Sequence, residues 1–451
     1  MNTGETRRRG CRDYFRSNPL LAARSGTRPL PKHPIHSLRV LCVLSGFFLV
    51  ASARAEPSFG EINTACGAAL FSDDNLWDDG AGAVAERLKL PTESKTSDQS
   101  SYRLYSPPEA RFLGARPFSQ SLLAEQGKPA ALSFVFANKG DAVSLVTGSL
   151  DNSEVAGRRA DLRGNRRAIE DDAKTLEGAL TALFGAPTDA RLGQGRETRE
   201  KVLRWDWQGH AFLLAAPRGE YVALRIIPVE VADSGGRSRV TDDVLRERLA
   251  SRVERRPNGD VILRDLPMVD QGPKGYCVPA TWERVMRYMG IPADMYVLAM
   301  AGKTDPGGGT SANDIAWAVR DAVAGAGRRM DSPTVKLTAD GVAKFIDEGL
   351  PVMWAMFSTD EFNAAADERM RLRKDMPEPA VWSAGLEESR KAAKKWRQDP
   401  EAGHICMIIG YNEKTGELAV SDSWGPRFAE RWITAEEAKA VSQNHFYVIQ
   451  P

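Results

Sequence analysis

The sequence predicts an α+β protein built as two successive units, and three observations predict it. Apolar, β-prone runs of five to seven residues recur between positions 131 and 227, with a helical pattern among them. From position 260 onward the order changes to helix, helix, a long charged insert and then strands. A polar segment at 232–239 (ADSGGRSR) separates the two stretches. The 451 residues are enough for two or three domains. With 42% apolar and 27% charged residues, the chain can bury a core and is not compositionally disordered.

Residues 1–55 read as a signal or other processing segment. A basic lead, from Arg7 to Arg39, precedes an apolar run at 40–51 (VLCVLSGFFLVA). Ala53-Arg54-Ala55 then forms a small-residue cleavage pattern. The run is short for a bilayer span, an uncleaved anchor being the alternative. Cleavage near Ala55 predicts a secreted or periplasmic mature chain with no stable membrane span. The segment holds 10 of the 61 basic residues and 2 of the 60 acidic ones, so the remainder carries a net charge of −7. That sign gives no electrostatic reason to bind nucleic acid. Cys66, Cys277 and Cys406 stay with the mature chain. Three is odd, so at least one thiol is free or pairs with another chain.

Residues 56–235 are expected to form a separate α+β accessory domain. Strands are predicted at 131–136 (ALSFVF) and 142–147 (AVSLVT). A helix is predicted at 168–184, with Leu176, Leu180 and Leu183 on one face and Gly185-Ala186-Pro187 as its stop. Strands at 202–207 (VLRWDW) and 211–215 (AFLLA) flank a hairpin-like turn at Gln208-Gly209-His210, and 221–227 (YVALRII) is a further strand. His210 reads as structural or solvated. No chemical motif stands out, which leaves substrate positioning, inhibition or surface binding as roles for the domain.

Residues 236–259 read as linker and helix. Leu245, Leu249 and Val253 are four apart across 241–254, and Pro257-Asn258-Gly259 turns the chain. An extended run at 261–269 (VILRDLPMV) leads into QGPKGYC, residues 271–277.

Cys277 stands where a glycine turn becomes a helix. Val278, Ala280, Trp282, Val285, Met286 and Met289 give that helix a buried face, with Glu283, Arg284 and Arg287 expected outside. Pro279 suits its first turn. Free N–H groups and the helix dipole at that end favour a thiolate. Gln271, six positions earlier, offers a side-chain amide that could join the Cys277 N–H in holding an oxyanion. A thiolate nucleophile needs a base, and the base an orienter. His404 opens a buried strand (GHICMIIGYN). After a turn through Thr415-Gly416, LAVSDSWGP forms a second strand ending at Asp422. An antiparallel hairpin would bring His404 and Asp422 side by side. Cys406 reads as a small core residue, and His445 as packed or solvent-facing. No cysteine–histidine cluster has metal-ligand spacing, so neither metal nor cofactor is expected.

QGPKGYC, the GH strand and DSWG together resemble the papain-like cysteine peptidase fold and, more narrowly, are similar to the C39-like peptidase family. The resemblance covers about 260–451, less a charged insert at about 360–401. It implies a domain with a helical half and an antiparallel sheet. It also implies Cys277 as nucleophile, His404 as base, Asp422 as orienter and Gln271 as oxyanion donor, with Trp424 shielding the His404–Asp422 pair. Family members that process bacteriocins cleave leader peptides after a double glycine. No Walker-type loop and no membrane spans follow here, which departs from the exporters of that group. On the substrate side, Gly308 and Gly309 of DPGGGT (305–310) could pair backbone with an extended peptide, or form a simple loop capped by Ser311 and Asp314. The insert reads as a lid, an exosite or a solvated helical hairpin. The expectation is a secreted cysteine peptidase acting on a peptide or protein. A thiol-dependent amidase or acyltransferase with the same residues, or an inactive binding module, are the alternatives; oligomeric state is open.

Overall fold

The computed structural model describes residues 56–451 except 73–74, 145–153, 306–308 and 377, with backbone alone for 142–144 and 154–162. Residues 1–55, expected to be a processing segment, lie outside the described residues. No helix among the described residues is long and apolar enough to cross a membrane.

The N-terminal half folds around an antiparallel sheet, eight-stranded among the described residues. Its strands are β1 (Thr92–Lys95), β2 (Gln99–Tyr105), β3 (Ser119–Glu125), β4 (Lys128–Asn138), β5 (Thr188–Leu192), β6 (Glu200–Trp207), β7 (His210–Ala215) and β8 (Tyr221–Pro228), in the order β1-β2-β3-β4-β8-β7-β6-β5. Helices α1 (Phe59–Cys66) and α2 (Ala81–Arg87) precede it, α3 (Lys139–Ser144) and α4 (Glu154–Phe184) follow β4, and α5 (Val229–Asp233) follows β8. Ile169, Leu176 and Leu180 of α4 pack with Leu122, Phe134, Phe212 and Leu224 on one sheet face. The opposite face carries Val135, Ala211, Leu213, Ala223 and Ile227, and these pack against Val269, Tyr276, Met295, Tyr296 and Ala299 of the C-terminal half. Both faces of the central strands are therefore covered. That is why β7 and β8 read as continuous apolar runs rather than alternating ones.

The run at 142–147 departs from its predicted strand. Residues 142–144 belong to α3, and 145–147 lie outside the described residues. Asn138 ends β4 by accepting from the Asp141 N–H (2.8 Å) and donating to the Asp141 carboxylate (2.8 Å), a local cap that outcompetes β propensity. Gln208-Gly209 makes the expected hairpin, with positive φ at both residues.

Helix α6 (Asp242–Ser251) buries Leu245 and Leu249; Val253, predicted helical, opens strand β9 (Val253–Arg255). The rest of the second sheet is β10 (Asp260–Leu263), β11 (Arg329–Asp331), β12 (Val352–Phe357), β13 (Gly403–Asn412), β14 (Glu417–Ser421), β15 (Arg431–Thr434) and β16 (Ser442–Gln450). It runs β11-β16-β12-β13-β10-β9, with β14 on the other edge of β13 and β15 beyond it. Every pairing is antiparallel. Of the extended run 261–269 only 261–263 join this sheet; 264–276 form a loop.

Helices α7 (Cys277–Tyr288), α8 (Met295–Ala301), α9 (Ala312–Gly325) and α10 (Ala339–Ile346) form the helical half. Trp282, Val285 and Met286 of α7 join Ile315, Val319, Ile346, Trp354 and Ile408 in the core. The insert forms α11 (Asp360–Leu372), α12 (Pro379–Gly385) and α13 (Glu387–Ala393), and α14 (Ala435–Val441) precedes β16. Glu283, Arg284 and Arg287, expected on an outer face of α7, are all buried. Most of their polar groups are met internally: Glu283 accepts from the Met295 N–H (2.7 Å) and from Arg287 Nη1 (3.4 Å), and Arg284 donates to the Pro267 carbonyl (2.8 Å), while Arg287 Nε and Nη2 are buried without a hydrogen-bond partner among the described residues. The described residues form one compact unit.

Candidate functional site

Cys277 is the first residue of α7, and Tyr276 before it makes no side-chain cap. The free N–H groups of that helix end are therefore left for other acceptors. Cys277 is half-buried. Burial acts to raise its pKa. The hydrogen bond and charge of His404, with the backbone N–H groups of Ile405 and Val278, outweigh burial and lower it. The other two thiols go the opposite way. Burial pushes Cys66 up to about 12 and Cys406 well above the thiol range.

The antiparallel β13–β14 pairing sets Met407 opposite Ser421, so the strand ends bring His404 and Asp422 together. His404 Nε2 lies 2.9 Å from Asp422 Oδ1. Its other ring nitrogen is left for the Cys277 hydrogen bond. Burial opposes a charge on His404, yet the bonds to Asp422 and Cys277 raise its pKa to about 9. A histidine raised and a cysteine lowered favour a thiolate–imidazolium pair. The half-buried Trp424 ring packs 4.6 Å from the His404 ring at 30° and covers it from water.

Asp422 is fully buried, and its second oxygen accepts from Arg431 Nη2 (2.7 Å) and Nε (3.1 Å). Burial would raise the Asp422 pKa; His404 and Arg431 hold it below the usual carboxylate value. Arg431 sits on β15 and is held in turn by Asn363 (3.1 Å) and Asp367 (3.3 Å) of α11. Neither Arg431 nor its α11 partners stood out in the sequence. The one available signal was a charged residue inside RWIT, otherwise an apolar strand. Arg284 was also missed as a site neighbour. Its guanidinium donates to Ser421 Oγ (2.6 Å) and Ser423 Oγ (3.4 Å) beside Asp422, and burial draws its pKa down to about 10.

Gln271 is buried in the 264–276 loop. Its backbone N–H donates to the Ser423 carbonyl (2.9 Å), and its Nε2 donates to the Lys274 carbonyl (2.8 Å). An amide nitrogen carries two hydrogens, so one remains for a further acceptor. Gly309, at φ +79°, closes a short bridge with Asp305, and its Cα comes within 3.7 Å of where Gly275 would carry a Cβ. The glycine loop thus abuts the turn just before Cys277. Gly308 lies outside the described residues. Ser311 caps α9 by accepting from the Asp314 N–H (3.3 Å).

The remaining candidates stay apart from this constellation. Cys406 is buried on β13. His445 is exposed on β16 opposite Ala355. His210 is buried among Phe71, Trp77 and Trp207 and accepts from the Leu76 N–H (3.4 Å), a structural role. The insert is not a free hairpin. Arg369 of α11 donates to Glu437 (2.9 Å), and Trp382 of α12 to Glu417 (2.9 Å).

A thiol at a helix N-terminus, facing an imidazole and a carboxylate delivered by paired strands, places the C-terminal half in the class of papain-like folds. More narrowly, residues 263–448 match the Peptidase_C39 like family and form a domain of it. Among solved structures, the peptidase domain of Streptococcus ComA, a bi-functional ABC transporter involved in a quorum-sensing pathway, aligns at 14% identity. That alignment covers 41% of this chain and 97% of that one, with a TM-score of 0.26. No curated protein sequence matches the chain.

Proposed function

We propose that the protein is a cysteine peptidase that cleaves peptide or protein substrates through an acyl-enzyme. The observation that carries the reading is the position of His404, bonded on one side to Asp422 (2.9 Å) and on the other to Cys277. The Cys277 thiolate attacks the scissile carbonyl carbon. The resulting oxyanion accepts from the Cys277 N–H and the spare Gln271 N–H. The imidazolium of His404 gives its proton to the departing amine as the C–N bond breaks, leaving a thioester. Water then attacks the thioester while His404 takes its proton, and collapse releases the acid and restores the Cys277 thiolate beside the His404 imidazolium. Asp422 fixes the ring and stabilises its charge without itself taking a proton. The Gly309 position beside the turn that holds Cys277 supports a role in pairing with an extended substrate backbone.

The same reading puts the mature chain outside the cytoplasm, on the basic, apolar and Ala-x-Ala pattern of residues 1–55. N-terminal sequencing of the protein from an exporting cell checks this; a first residue near Glu56 is expected.

Peptide-library profiling of the wild type beside Cys277→Ala tests the chemistry. Cleavage at defined bonds, absent in the variant, is expected. Undiminished cleavage in the variant overturns the mechanism. Gln271→Ala is expected to lower kcat by roughly 100- to 1,000-fold, as loss of an oxyanion donor does.

A further inference from the structure

The loop that carries Gln271 is held from the N-terminal half at almost every step. The Met268 N–H donates to Ser94 Oγ (2.9 Å), and the Asp270 N–H to Glu93 Oε1 (2.8 Å). The Tyr105 hydroxyl donates to the Asp270 carbonyl (2.5 Å). Gly272, at φ +66°, lies so close to the Tyr105 ring that a Cβ would sit 2.6 Å from it. Lys274 turns away from solvent altogether. Its Nζ donates to Asp141 Oδ1 (2.8 Å), both side chains being at least nine-tenths buried. The ammonium also faces the rings of Tyr105 (4.5 Å) and Tyr296 (5.1 Å). Gly140, beside Asp141, leaves room for the Tyr276 ring, which a Cβ there would meet at 2.5 Å. The Lys274 carbonyl in turn accepts from Gln271 Nε2.

We infer that the N-terminal sheet domain is a positioning part of the active site, and that Asp141, acting through Lys274, holds the Gln271 loop in register with Cys277. The inference rests on the peptidase reading above. It selects substrate-site positioning from the roles the sequence leaves open for residues 56–235. A buried ammonium has no good alternative to this carboxylate, so loop and domain keep one relative placement. Gln271 then meets the oxyanion without a reorganisation cost. Asp141 and Lys274 are positioning residues; neither is assigned contact with substrate.

The test uses the full-length protein and a peptide identified by profiling. Asp141→Asn is expected to lower kcat by about 10- to 100-fold, as a displaced site does, with KM changed less than about twofold. In a Gln271→Ala background the same change is expected to cost almost nothing further, because both act on one donor. Asp141→Glu is expected to restore part of the loss. If Asp141→Asn does not fold, Tyr105→Phe, which deletes only the bond to Asp270, gives the same comparison. A kcat within twofold of wild type, or a loss just as large when Gln271 is already absent, overturns the inference. Alkylation of Cys277 by iodoacetamide in the wild type separates the two claims. Alkylation no faster than that of Cys66 or Cys406 sinks the peptidase reading. Fast alkylation with an indifferent Asp141→Asn sinks only the positioning role.

Discussion

At the scale of single residues, the site is a balance between burial and pairing. Burial alone would keep Cys277 a thiol and His404 neutral, and it does raise the pKa of Cys66 and Cys406. Pairing reverses both signs at the site, and the pH dependence follows. The reactive ion pair forms as pH rises through the lowered pKa of Cys277. It is lost as pH rises through that of His404, at about 9. A bell-shaped profile of kcat/KM is expected, its acid limb below the ordinary thiol range and its alkaline limb near pH 9. An alkaline limb at the ordinary histidine value of about 6.5 would contradict the pairing. The four candidate residues were legible in sequence because each announces itself locally. Cys277 follows a glycine turn and opens a helix, Gln271 stands in that turn, His404 opens an apolar strand, and Asp422 ends the next one. Lys274 and Asp141 were not legible, because they are 133 positions apart and nothing local marks either as a partner.

At the scale of elements, the reading of α7 shows what amphipathic periodicity misses. Glu283, Arg284 and Arg287 fall on the polar face that a surface helix turns to water, yet α7 is enclosed by the 264–276 loop, α8 and the second sheet. Charged residues then serve as internal connectors, and no spacing rule separates that use from solvation. The strands were better served: β13 and β14 fall at the runs expected, since a central strand is apolar over its whole length. The insert takes on a definite task at this scale. Its first helix supports Arg431, which fills the second oxygen of Asp422. Arg431→Met would leave Asp422 buried with one partner in place of two. A loss of about 3–5 kcal/mol of folding stability is expected, the usual cost of breaking a buried pair from one side. Urea denaturation of the variant measures it, and an unchanged midpoint would show that β15 holds Asp422 without the guanidinium.

At the scale of the whole molecule, the separation suggested by the polar segment at 232–239 is real in topology but not in packing. Each half has its own sheet, and no strand of one joins the other among the described residues. Yet the sheet face of β7 and β8 is covered, among the described residues, largely by α8, Ala280 of α7 and the loop before Cys277. Leu213 and Ala223 on one side and Met295 and Tyr296 on the other belong to one buried cluster. Removing either half would expose that apolar face and strand the Lys274–Asp141 pair, so the two halves are expected to unfold together. Linked domains with small polar interfaces melt in separate steps, whereas a shared core couples them. Scanning calorimetry of residues 56–451 is therefore expected to give one transition with equal calorimetric and van't Hoff enthalpies. Leu213→Asp, placed in the shared cluster but outside the C39-like domain, should lower that single midpoint and leave no separately melting remnant. Two resolved transitions in the unmutated protein, or a variant in which only the N-terminal half melts early, would show that the halves are independent. The coupling bears on the proposed chemistry, because a domain that unfolds with its neighbour can also hold that neighbour's Gln271 loop in place.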